Sequence, residues 1–322
     1  MRAPPLLATV LLASAAVACG GRTVVVTPAA PVSPAVRAQL WVDPAPGARD
    51  LFWGVGSSRH APDPDATYTL IAKDETGFSV SYDVVGRDGV EWSAKIGPEA
   101  QTEVVVSRLL WGLGYHQPPL YYLPSWRLAA PGGEALTISE ARFRPKLPQL
   151  ERLDETWAWA DNPFSGAPEL KALLVVLLML NSTDLKDSNN SIYETATPWD
   201  GASRWYVVRD VGAALGETGT LFPRRNWLEG FERESFITGL HGAAVAFGYR
   251  GRHQELLAMI APGDVQRAAA MMAALTDTQW RDAFRAANYA PAHAGEYIRR
   301  LREKVADGLA LRVDRRSIED ED

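Results

Sequence analysis

The chain has 322 residues, 47% of them hydrophobic and 22% charged, enough to bury a core in one large domain or two lobes. Its formal charge of −6 excludes nucleic acid as the main partner, because phosphate backbones need a basic face. The single cysteine, Cys19, excludes an internal disulfide, and the scattered histidines give no zinc-type spacing.

In chain order, residues 1–18 read as a secretion signal. Arg2 supplies the positive start, and residues 6–18 are an apolar run too short to span a bilayer. The run ends Ala16-Val17-Ala18-Cys19-Gly20. This resembles the bacterial lipoprotein signal, in which small residues precede a cysteine that becomes the lipidated N-terminus. The resemblance implies lipid attachment at Cys19, a place in the cell envelope, and a membrane partner reached through the anchor rather than a spanning helix. Gly20 after the cysteine, where an Asp would imply the inner membrane, implies the outer one. Residues 19–48, rich in Pro, Ala and Val, read as a tether.

Residues 49–144 read as a small β-rich lobe. Apolar alternation predicts strands over 68–71 and 78–85, a tight turn at Arg87-Asp88-Gly89, and a return strand over 90–95. Gly97-Pro98 ends that strand and opens a helix over 99–112. Two more strands follow over 121–128 and 135–143. Residues 145–315 read as mainly helical. The stretch 170–181 is apolar almost throughout and predicts a buried core helix. Residues 191–194 and 205–209 predict a hairpin, and 229–311 mostly helix. Thr276-Asp277-Thr278-Gln279 is a capping-box start. Residues 316–322 form an acidic tail.

The apolar helix delivers Asp184-Leu185-Lys186-Asp187-Ser188-Asn189, and Asp210-Val211-Gly212 closes the hairpin. An acid to orient a hydroxyl, a cation for a phosphate and oxygen ligands for magnesium are what phosphoryl transfer needs. The same residue types also suit a polar turn at a helix end. Asp184 and Asp210 could also serve as the paired carboxylates of a glycosidase, although their loop-and-strand setting fits a metal better.

The order of strand lysine, helix acid, apolar helix, Asp-x-Lys-x-x-Asn loop, hairpin and Asp-x-Gly resembles the protein-kinase-like superfamily. The likeness is to its atypical members, the HipA-type kinases and the secreted kinase-like proteins related to spore-coat kinases, and spans residues 65–250. It implies an α+β, two-lobed fold, with a small mainly antiparallel N-lobe carrying one helix and a mainly helical C-lobe. It implies ATP and Mg2+ as cofactors. Lys95 would touch the phosphates, and Glu103 on the following helix would hold Lys95, with Glu99 in the first turn as the other candidate. Gly77 and Ser79 would stand in for a glycine-rich loop. Asp184 would take the acceptor's proton and Lys186 would neutralise the transferred group. Asn189 and Asp210 would hold the metal, with Gly212 freeing the backbone to turn. Arg224-Arg225 would meet an acidic or phosphorylated group, or be a charged surface loop. The chain departs from the pattern: no Gly-x-Gly-x-x-Gly precedes Lys95, no His-Arg precedes Asp184, and Ala-Pro-Glu is missing. The expected function is a membrane-anchored atypical kinase acting on an unknown hydroxyl-bearing or acidic substrate. The alternative is a catalytically inactive kinase-like lipoprotein that serves as a nucleotide- or ligand-binding scaffold.

Overall fold

The computed structural model describes residues 32–77, 79–219 and 223–312, which belong to one compact unit. The expected signal, Cys19 and the acidic tail lie outside the described residues. A short helix, α1 (Pro34–Arg37), opens the described chain. The expected tether does not extend to residue 48. Leu40 is fully buried, the Trp41 indole donates to the Leu113 carbonyl at 2.7 Å, and the Tyr206 amide donates to the Gln39 carbonyl at 2.8 Å. Two large apolar side chains among the prolines bind this stretch into the fold, against what average composition suggests.

Five strands build the first half: β1 (Thr67–Asp74), β2 (Ser81–Val85), β3 (Glu91–Ile96), β4 (Tyr121–Ala129) and β5 (Ala135–Pro145). Their order is β1-β2-β3-β5-β4, all antiparallel except a short parallel pairing of β1 with β4 that closes the sheet into a barrel. Closure removes the exposed edges an open sheet would leave. The inward face of the pleat fills the barrel with Tyr68, Val84, Trp92, Trp126 and Phe143. Helix α2 (Glu99–Gly112) links β3 to β4. Gly97, at φ +110°, makes the reversal from strand to helix in a region that a side chain avoids.

The second half holds β6 (Glu151–Arg152), α3 (Pro168–Met179), β7 (Asn190–Trp199) and β8 (Ala202–Val208), with the three strands forming one sheet in the order β6-β7-β8. After them come α4 (Leu228–Arg233), the hairpin β9 (Ile237–His241) and β10 (Ala244–Phe247), and then α5 (Gln254–Leu257), α6 (Pro262–Ala273), α7 (Asp277–Arg285) and α8 (Pro291–Ala310). The stretch expected to be mostly helix therefore contains a two-stranded hairpin. Its glycines, Gly239 and Gly242, have positive φ and break the helical pattern. Helix α3 is apolar on every side because α6 and α8 cover it within the main core. Thr276 and Gln279 close the capping box, each side chain bonded to the other's amide, at 3.2 and 3.0 Å. The architecture is α+β, β-rich first and helical later, as expected. Among the described residues no helix is long and apolar enough to cross a membrane.

Candidate functional site

Lys95, near the end of β3, reaches across the reversal at Gly97 to the first turns of α2. Its Nζ lies 2.8 Å from Glu99 Oε2, 3.2 Å from Asp210 Oδ1 and 4.0 Å from Glu103 Oε2. Two acids from the neighbouring helix and Asp210, 115 positions along the chain, thus converge on one ammonium. Glu99, not Glu103, makes the short contact to Lys95. One helical turn further on, Glu103 is fully buried and is taken by two arginines of β5. Arg142 Nε donates to Oε2 at 3.0 Å and Arg144 Nη2 to Oε1 at 2.6 Å. The register explains the arrangement. Arg142 stands opposite Lys95 and Arg144 opposite Ser93, so alternate residues of both strands face α2. The Arg142-Phe143-Arg144 spacing, two basic residues on one face of a strand, is the sequence signal for this pair.

The charges hold one another. Burial opposes the charge on Lys95, but Glu103, Asp210 and Glu99 together hold it above the ordinary lysine value. Burial likewise works against an ionised Glu103, yet Arg142, Arg144 and Lys95 outweigh it and bring the carboxyl down to about 2. Of the acids around Lys95, Asp210 is the one open to a ligand, with its side chain 37% exposed against 7% for Glu99 and 0% for Glu103.

The polar loop runs beside the segment that carries Asp210. The Thr183 amide donates to the Ala213 carbonyl at 2.9 Å, and the Arg209 amide to the Asn189 carbonyl at 3.1 Å. Within the loop, the Asn189 amide nitrogen donates to the Asp184 carbonyl at 2.8 Å, and Lys186 Nζ sits 2.8 Å from Asp184 Oδ1. Asp187 caps the Trp159 amide at 3.0 Å and so is a brace. Gly212 is needed for close approach rather than for a turn. Its φ is not positive, and a Cβ there would lie 2.7 Å from Glu99 Cβ and 3.0 Å from the Glu99 carbonyl oxygen. The Thr102 hydroxyl donates to the Gly212 carbonyl at 2.6 Å, fastening this segment to α2.

Ser79 donates its hydroxyl to Glu99 Oε2 at 3.3 Å, so it belongs to the same network; at Gly77, on the same β1–β2 connection, a Cβ would meet the Ser79 carbonyl oxygen at an ordinary 3.7 Å. The two arginines after the Asp-x-Gly differ in their partners. Arg225 pairs with Glu99 at 2.8 Å, while Arg224 lies over the Trp227 ring and pairs with Glu217 at 3.4 Å.

Among the described residues there is no cluster of three or more His, Cys, Asp or Glu side chains shaped for a metal. The donor set still fits magnesium, which takes one or two protein oxygens and completes its shell with water and substrate phosphates. Asp210 offers a half-exposed carboxylate. The Asn189 side chain uses its Nδ2 on the loop, which leaves Oδ1 as the ligand end.

Neither a family model nor a curated protein matches the chain. Solved structures similar to it include the Golgi casein kinase, and the same kinase with Mn/ADP bound. Each is 10% identical with a TM-score of 0.36, over 76% of this chain and 72% of the other.

Proposed function

We propose that the chain is an atypical, kinase-like phosphotransferase that moves the γ-phosphoryl group of ATP to a hydroxyl. The observation that carries this reading is the convergence of Lys95, Glu99 and Asp210, beside a loop that holds Asp184 and Asn189. In this reading Lys95 binds the nucleotide phosphates. Glu99 fixes Lys95 in place, and Glu103 anchors α2 one turn behind. Asp210 and Asn189 are the residues that would hold Mg2+, which when bound neutralises phosphate charge. Asp184 orients the acceptor hydroxyl and takes its proton, and Lys186 steadies the anion of Asp184 and of the transferred group. Most of the rate would come from positioning and electrostatics. Cys19 would carry the lipid, tethering the enzyme in the cell envelope at the outer membrane, where it meets a hydroxyl-bearing or acidic substrate.

One observation favours the second reading, a catalytically inactive binding module. Lys186 lies within 3.1 Å of both Asp184 oxygens and competes for the site where an acceptor hydroxyl would bind. Titration of the purified chain with ATP and Mg2+, alongside phosphate release or transfer to a panel of hydroxyl acceptors, separates the two. Catalysis predicts metal-dependent binding lost in Asp210→Asn, and transfer lost in Asp184→Asn with binding kept. Binding without transfer supports the module, and no nucleotide binding rejects both the kinase and a nucleotide-binding module.

A further inference from the structure

A cleft of about 800 Å³ opens between β3, the end of β5 and β7. Its polar lining includes Ser93, Arg144, Tyr193 and Arg209, with Leu147 and Leu150 as an apolar wall. It lies next to the Lys95 site and is joined to it by the Arg144–Glu103 pair. Lys95 stands nearest Oε2 of that carboxylate, and Arg144 bonds Oε1.

Arg144 is short of acceptors. It is 6% exposed, and its Nη2 serves Glu103 at 2.6 Å and the Arg209 carbonyl at 3.4 Å. Its Nε and Nη1 are buried with no hydrogen-bond partner. A buried guanidinium left this way is costly, and such groups call for a water, an ion or a ligand. Arg209 adds a second guanidinium, its Nε donating to the Tyr193 hydroxyl at 3.1 Å. Burial, with Arg209 and Arg142 close by, draws Arg144 down to about 9. Among the described residues Glu103 is the one carboxylate bonded to Arg144, and it is shared with Arg142. The acids of the cleft do not supply the missing charge. Asp88, Glu151 and Asp154 are exposed at its mouth, and Glu91 pairs with Lys146 at 3.3 Å.

We propose that this cleft binds a phosphate monoester, its phosphate held by Arg144, Arg209 and the Tyr193 hydroxyl and its uncharged body against Leu147 and Leu150. A dianion with several acceptor oxygens answers two guanidinium groups at once, where a single carboxylate answers one fork. The proposal goes beyond the phosphotransferase reading and stands without it, since it uses neither Lys95 nor Asp210.

The test is metal-free titration of the full chain with inorganic phosphate, read by thermal shift and calorimetry against chloride at equal ionic strength. Wild type and Lys95→Met should show a saturable rise in Tm. Arg209→Gln should weaken phosphate at least tenfold, and Tyr193→Phe, a milder change that keeps the ring, several-fold. If Arg209→Gln gives no cooperative melt, Tyr193→Phe decides the matter. No saturable effect in wild type overturns the proposal, as does unchanged affinity in the cleft variants. Loss in Lys95→Met with retention in Arg209→Gln also overturns it and assigns the anion to the nucleotide subsite. The ATP and Mg2+ titration reads Asp210 and is unaffected by either result.

Discussion

Two of the places where positive charge is buried are built differently. At the meeting of α2, β3 and β5, Lys95, Arg142 and Arg144 surround Glu103, and Glu99 and Asp210 complete the set. In the helical half, Lys304 of α8 is fully buried with only neutral acceptors. Its Nζ donates to the Met179 carbonyl and to Asn181 Oδ1, each at 2.8 Å, and lies 3.9 Å from the centre of the Phe231 ring. Burial, with Arg300 nearby, holds this amine well below the ordinary lysine value. The first cluster is a network of ions with one member, Asp210, open to solvent. The second is a brace. Lys304 caps the Met179 carbonyl at the C-terminal end of α3 and steadies Asn181 at φ +51° three residues before Asp184. Burial of a charge is thus not itself a sign of a site; the partners decide.

The strongest way to break this contrast is Glu103→Gln, which leaves Arg142 and Arg144 buried without their counter-charge. Stability should fall by about 3–5 kcal/mol in a urea titration. A loss under about 1 kcal/mol would mean that the two arginines find other partners and that the network is not closed. Next is Gly212→Ala, whose added methyl meets the Glu99 backbone rather than a flexible side-chain end. It should cost about 1–3 kcal/mol and weaken nucleotide binding, because α2 is pushed away from Asp210. Wild-type stability with lost nucleotide binding would assign Gly212 to the ligand alone.

Lys304→Met strands the Met179 carbonyl and the Asn181 side chain, for a loss of about 1–3 kcal/mol near neutral pH. The pH dependence sharpens the comparison further, because both groups are held below their ordinary values and stability rises with pH for each, but in windows far apart. Glu103 is held at about 2, below the ordinary 4.5, so its contribution is present above pH 4.5 and fades as the pH falls toward 2. Lys304 is a base held below its ordinary 10.5, so unfolding takes up a proton. Its penalty shrinks, and stability rises, as the pH climbs toward 10.5. The stability difference between wild type and Lys304→Met should therefore move in favour of wild type at alkaline pH, and a flat difference would mean that Lys304 keeps its charge in the fold.

Much of this was legible locally. Pro98 and the apolar periodicity placed α2 over the span seen in the fold, Glu99–Gly112, and the capping box at Thr276 appears as read. The buried helix before Asp184 was plain from its lack of a polar face. Other features were not legible. The β9–β10 hairpin sits in a stretch with enough helical residues to mask it. The choice between Glu99 and Glu103 could not be made from spacing, since both lie on the helix side that faces β3. The twist of the chain at Gly97 puts Glu99 against Lys95 and leaves Glu103 to β5. Arg142 and Arg144 looked like ordinary strand charges.

The sequence by itself determined the elements, the polar loop after the apolar helix and the Asp-x-Gly that follows, because periodicity, caps and turn residues act over a few neighbours. Tertiary structure alone decided which charges meet. Strand register set Arg142 beside Lys95, and the close seat of Gly212 on α2 brought Asp210 within 3.2 Å of that lysine. Those contacts join residues distant in sequence, 115 positions for Lys95 and Asp210, and they depend on how sheet and helix pack, which no local pattern encodes.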